Sequence, residues 1–264
     1  MTVMPAPALP ADRVRQVGVT LAEVFCVLGT LVGVGVIGTR VEESSGGALA
    51  ADATLIAPAG PAFSIWTPIY LGLAAYTIWQ WLPEQASDRR HRAIGWLVSL
   101  SMVLNAAWLL VTQQGWLWAS VAVILALAVT LGLLVERLTR HQSYGRAESV
   151  IVDGTFGLYL GWVAVAACAN VTTALIESGI QPPNLIAVLL AVVVLAVAAS
   201  LGMMFASHLG GRWAVAAAMA WGLLWIAYGR AFDAPESGTV AIAAVVAAVV
   251  VLLAASRVHS RRAT

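Results

Sequence analysis

In 264 residues the chain carries 61 % hydrophobic and 10 % charged side chains with a formal net charge of +1, and its mean hydropathy of +0.88 exceeds what a soluble domain of this length can bury. That excludes a water-soluble globular fold, and the lack of a large basic surface excludes a nucleic-acid partner. The remaining solvent is a bilayer, where each span needs ~20 mainly apolar residues and satisfies its own backbone hydrogen bonds.

Charge-poor runs bounded by charges, Gly or Pro predict eight transmembrane helices in an all-α, polytopic integral membrane bundle. A cytoplasmic N-terminal tail, 1–16, precedes the first helix at 17–39. About 23 apolar residues exceed a signal-peptide core, and Glu42 and Glu43 come before the small-residue stretch Ala48-Leu49-Ala50, so this helix is retained. Its Gly33 and Gly38, in "LVGVGVIG", suit helix packing. Cys26, and later Cys168, sit in apolar runs as reduced packing residues. The connection 40–61 reads as a flexible connector or as a lid over an external opening.

The second helix, 62–82, is rich in rings. Trp66 and Tyr70 share a face one turn apart, and Pro68 falls either in the first turn or at a kink. The third and fourth, 93–112 and 116–136, form a hairpin across Gln113-Gln114-Gly115, and the third places Asn105 three residues before Trp108. On the fifth, 150–176, Tyr159 and Trp162 share a face with Asn170 about two turns further on. The helices at 184–207, 213–230 and 238–256 hold fewer polar groups and read as scaffold, or as a small-residue surface that permits a homodimer. A basic cytoplasmic tail, 257–264, follows.

All fourteen basic residues are arginines. With the N-terminus in the cytoplasm of a bacterium, Arg13, Arg15, Arg89, Arg90, Arg92, Arg137, Arg140, Arg146, Arg212, Arg257, Arg261 and Arg262 fall inside, and only Arg40 and Arg230 outside. The positive-inside rule thus favours eight helices with both termini cytoplasmic, and the inside clusters face anionic lipid.

An unpaired amide in hydrocarbon costs a few kcal/mol, so Asn105 and Asn170 face the bundle interior and the rings on their faces go with them. Aromatic walls with a few polar tips describe a pocket for a flat, mostly apolar ligand. Glu23 and Asp153, inside predicted spans, are candidates for proton coupling, with pairing to a nearby arginine as the alternative. No histidine lies at pocket depth, so neither a metal site nor a haem ligand is expected, and the motifs of nucleotide binding and hydrolysis are absent. No cofactor is expected.

Three motifs in order carry a resemblance to a known family. Trp66 and Tyr70 match W-x-x-x-Y on the second helix, Leu104, Asn105 and Trp108 match L-N-x-x-W on the third, and Tyr159, Leu160, Trp162 and Asn170 match Y-L-x-W followed by Asn on the fifth. The chain resembles the TspO/MBR family of tryptophan-rich sensory proteins, which includes the translocator protein, over roughly residues 17–176. The resemblance implies a five-helix bundle, 17–176, with a pocket beneath the first outside loop for porphyrins, other tetrapyrroles, sterol-like lipids or benzodiazepine-type compounds. Three further helices, 177–256, would be an addition to that bundle.

The leading reading is therefore a sensor or translocator, rather than an enzyme, that binds a porphyrin-like hydrophobic ligand through Trp66, Tyr70, Asn105, Trp108, Tyr159, Trp162 and Asn170. Two alternatives stay open: a proton-coupled transporter of a small metabolite, and a membrane enzyme that degrades a bound pigment.

Overall fold

A computed structural model describes residues 8–263, with side chains as far as Arg261. The predicted tail residues 1–7, and residue 264, lie outside the described residues. Among these, all regular structure is helical: α1 (Pro10–Gly33), α2 (Trp66–Trp79), α3 (Arg89–Gln113), α4 (Leu117–Arg140), α5 (Arg146–Glu148), α6 (Thr155–Glu177), α7 (Asn184–Leu209), α8 (Trp213–Phe232) and α9 (Gly238–Ala263). A π-helical turn, Ser149–Gly154, joins α5 to α6, so that Arg146–Glu177 forms one continuous 32-residue span. Seven spans are long and apolar enough to cross a bilayer, and α2, with 14 residues, is the exception.

The helix α1 starts seven residues before the predicted point because its charges are paired. Pro10 occupies the first helical position, where a missing N–H costs nothing, and the Leu9 N–H donates to Asp12 Oδ2 at 2.9 Å. Arg92 on α3 then grips Asp12 with a two-pronged contact, 2.7 and 2.6 Å. Arg15 is buried and donates to the Ala86 carbonyl at 2.8 Å. At the other end α1 stops at Gly33, six residues early, since Gly35 and Gly38 take left-handed conformations. Gly33 does serve packing, against Leu109, but Gly38 lies beyond the helix.

The predicted second span is a composite. A 3-10 segment, Gly60–Ile65, leads into α2, and Pro68 falls in the first turn of α2 rather than at a mid-helix kink. Together the two pieces rise about 33 Å. They begin well inside the bundle, because the Ala62 carbonyl accepts from Trp221 Nε1 at 2.9 Å. Trp221 lies eleven residues, about 16 Å, from the end of α8.

The connection before it, residues 34–59, is folded in place rather than a loose connector. Val41, Ser44, Ala48, Thr54, Ile56, Ala57 and Ala59 are all buried. It turns at Ser45, Gly46 and Gly47, three consecutive residues with positive φ, and the Ser45 hydroxyl fixes the turn by donating to the Thr112 carbonyl at 2.8 Å. Non-helical backbone at this depth is tolerated because protein, and not lipid, surrounds it.

The remaining helices pack in the order α1, α3, α4, α6, α8, α9, α7, with α2 set against α1 and α6. Small residues mark the close crossings. A Cβ on Gly29 would come within 2.9 Å of the Ala106 Cα, one on Gly161 within 2.3 Å of the Val215 carbonyl, and one on Gly202 within 2.4 Å of a Val251 methyl. Gly202 of α7 thus lets α9 approach closely, and α9 also packs against α8. Leu185, Leu189, Val193 and Val197 of α7 point outward.

The arginines gather at one end. Arg90 meets Glu148 and Asp153, Arg212 meets Asp153, and Arg137 donates to the Ala93 carbonyl. Arg40 and Arg230 lie at the opposite end, so the eight apolar segments alternate in direction through the bundle.

Candidate ligand-binding cavity

Beneath residues 40–42, at the end opposite the arginine cluster, lies a cavity of about 380 Å³. Its walls come from Thr30 and Gly33 of α1, from Phe63, Trp66, Thr67 and Tyr70 of the composite second span, and from Trp108 and Leu109 of α3, with Arg40, Val41 and Glu42 above. This volume lies in the lower part of the range for small-molecule sites.

Of the seven candidate residues, Trp66, Tyr70 and Trp108 reach the cavity wall. The other four form a supporting layer. Trp66 stacks on Tyr70, with centroids 5.2 Å apart and planes 13° off parallel. Tyr159 and Trp162 on α6 also meet Trp66 nearly edge-on, at 5.8 and 6.2 Å, geometries that suit the ring quadrupoles. Phe63 adds a further edge against Trp162 at 5.7 Å. Tyr159 and Trp162 are 0 % and 1 % exposed, so they hold Trp66 in place without meeting the cavity.

The two asparagines have different tasks. Asn170 Oδ1 accepts from Trp108 Nε1 at 2.8 Å, and its Nδ2 donates to Ser120 Oγ at 2.9 Å. One amide thereby ties α6 to α3 and α4, and its hydrogen-bonding capacity is largely spent on the helices. Asn105 shares its Nδ2 between the Tyr70 hydroxyl, 3.1 Å, and the Cys26 sulfur, 3.4 Å. Its Oδ1 is buried and has no hydrogen-bond partner among the described residues. Asn105 therefore reaches the cavity through Tyr70.

The two acids also diverge. Asp153, in the π-helical turn, accepts from both Arg90 and Arg212 through Oδ1 at the arginine-rich end, far from the cavity. Glu23 sits on α1 one turn before Cys26, 8 % exposed, and its Oε2 has no hydrogen-bond partner among the described residues. Among the described residues no three His, Cys, Asp or Glu side chains group as a metal site.

Sequence reasoning missed Arg40, Glu42 and Thr30 at the wall. The available signal was the isolation of Arg40, which with Arg230 stands apart from the other arginines. Ser120, the third member of the Asn170 knot, carried no such signal.

A family model described as TSPO-like protein matches residues 20–257. The chain belongs to the TSPO-like family. The match is not confined to the first five helices but runs through the last three as well, and family membership together with seven long apolar spans makes this an integral, multi-pass membrane protein of the sensor and translocator type. No curated protein and no solved structure matches the chain.

Proposed function

We propose that this TSPO-like protein binds a flat, mostly apolar ligand of the tetrapyrrole class in the cavity between α1, α2 and α3. The observation that carries the reading is the wall itself: Trp66 and Tyr70 stacked on one side, Trp108 on another, and each ring immobilised from behind, by Tyr159 and Trp162, by Asn105 and by Asn170. Rings held in place lose little entropy when a ligand stacks on them, so their apolar area counts in full toward affinity. The charged Arg40 and Glu42 at the top supply polar contacts for ligand substituents.

The test is quenching of tryptophan fluorescence in the purified protein on titration with protoporphyrin IX, beside Trp66→Leu. Saturable quenching that Trp66→Leu weakens by about tenfold or more, the order expected from removing one large stacked ring, supports the cavity. Linear quenching, or quenching indifferent to Trp66, removes it.

One observation favours a second reading, proton-coupled transport. Glu23 is a buried carboxyl group with an unpartnered oxygen, one turn from a sulfur that Asn105 links to Tyr70. Carboxyl groups in such settings mark proton paths. Flux of a metabolite into vesicles that depends on pH and vanishes in Glu23→Gln would establish it, whereas Asp153, held by two arginines, is assigned to structure.

A further inference from the structure

We propose that α8 anchors the connection 34–59, whose residues 40–42 cover the cavity, and that Arg230 is the latch of this cover. The inference rests on reading the cavity as the ligand site and assigns a task to the last three helices. No residue of α8 lines the cavity.

Arg230 is 1 % exposed, and although Asp52 and Asp233 are near enough to act on it electrostatically, its hydrogen bonds go to no carboxylate among the described residues. Its guanidinium instead donates to four backbone carbonyls. Two belong to the cover, Ala51 at 2.9 Å and Thr54 at 3.2 Å, and two to the turn after α8, Ala234 at 3.3 Å and Pro235 at 3.0 Å. The planar fork of arginine suits several acceptors at once, and a lysine ammonium does not reproduce its geometry. A buried cation whose donors are unmet is costly, and so is a buried carbonyl without a donor. The carbonyls of Ala51 and Thr54 and two of the Arg230 contacts are met together while the cover is seated.

Two contacts continue the seam along α8 toward the bundle centre. The Ala59 N–H donates to the Trp225 carbonyl at 3.2 Å, and Trp221 Nε1 donates to the Ala62 carbonyl at 2.9 Å. The latched stretch is flanked in sequence by the wall residues Arg40–Glu42 before it and Phe63 after it. On its far side the cover hangs from α3, by Ser45 on the Thr112 carbonyl and by Gln113 on the Thr39 carbonyl at 2.8 Å. It is thus strung between α3 and α8 with its residues 40–42 in the cavity wall, and Arg230 positions that wall from a distance.

Two experiments decide the point. In the first, a cysteine at Leu109, a buried wall position, is labelled with a water-soluble maleimide, with and without Arg230→Gln or Arg230→Lys. Loss of charge-assisted hydrogen bonds predicts labelling faster by about tenfold or more in Arg230→Gln and by less in Arg230→Lys. Equal rates in a folded Arg230→Gln protein overturn the latch.

The second keeps Arg230. A Cβ built on Gly229 lies 3.6 Å from the Ala59 Cβ, inside the span of about 3.5–4.5 Å that a disulfide requires. The pair Ala59→Cys, Gly229→Cys locks the cover to α8 when oxidised. Protoporphyrin IX association and dissociation, read by tryptophan quenching, both slow on oxidation and recover with reductant. A bond that forms without changing exchange, or that never forms, overturns the proposal. If the unaltered protein shows no saturable quenching, the ligand reading fails, and maleimide labelling of Leu109→Cys in the locked and reduced pair still decides the latch.

Discussion

Asn105 and Asn170 look alike in the sequence, each a lone amide on a ringed helix face, yet their neighbours separate them. Replacing Asn170 with Ala strands the Trp108 indole N–H and leaves Ser120 without its amide donor. A buried donor left unmet costs about 1–3 kcal/mol, so Asn170→Ala lowers the thermal midpoint of the purified protein even without ligand. Asn105→Ala removes one of the contacts that position the Tyr70 ring, the bond to its hydroxyl, while the stack on Trp66 stays. Its expected effect is weaker porphyrin quenching with a smaller loss of midpoint. The same midpoint loss in both variants, with affinity untouched, would erase the distinction.

At the scale of elements, the alternation of apolar runs and polar breaks was legible, and so was the α3–α4 hairpin, because three polar or flexible residues cannot cross a bilayer again. The rings of three helices were also legible as neighbours, since Trp66, Tyr70, Trp108, Tyr159 and Trp162 do converge. What hydropathy could not register was pairing. Asp12 and Arg15 look like tail residues until Arg92 and the Ala86 carbonyl are brought to them. The segment 34–59 looks like linker because its acceptors are met by Arg230, far along the chain. Which rings face the cavity and which back them was likewise hidden, since helical periodicity gives a face and not a depth.

Helix crossings give a sharper test of the same scale. At Gly161 an added Cβ collides with backbone of α8, which has no flexible end to yield. Gly161→Val therefore forces α6 and α8 apart and costs about 1–3 kcal/mol, while also shifting the adjacent Trp162. Gly132 on α4 has nothing within 4 Å of the same position. Gly132→Ala should raise the midpoint slightly, since alanine is the better helix former by roughly 0.5–1 kcal/mol. Thermal unfolding monitored by circular dichroism in one detergent compares the two directly.

For the molecule as a whole, the gathering of arginines at one end proposes an orientation, with that end cytoplasmic under the positive-inside rule. Tyr144, 89 % exposed, lies in the loop between Arg140 and Arg146, and Glu236 lies at the opposite end. In intact cells an impermeant thiol reagent should modify Glu236→Cys and spare Tyr144→Cys until the membrane is opened. The reverse pattern would turn the protein over and place the cavity cover on the cytoplasmic face.

The cover also imposes an order of assembly. Arg230 meets carbonyls that lie 176 and 179 residues earlier in the chain, and α2 is too short to span a bilayer by itself. The first hairpin is therefore expected to stay half seated during biosynthesis until α8 has entered the membrane. A chain ended at Ser178 should insert its earlier long helices yet be cut by protease within residues 40–61, where the complete chain resists. On that expectation, the end that carries the cavity is completed by one of the last helices to be made.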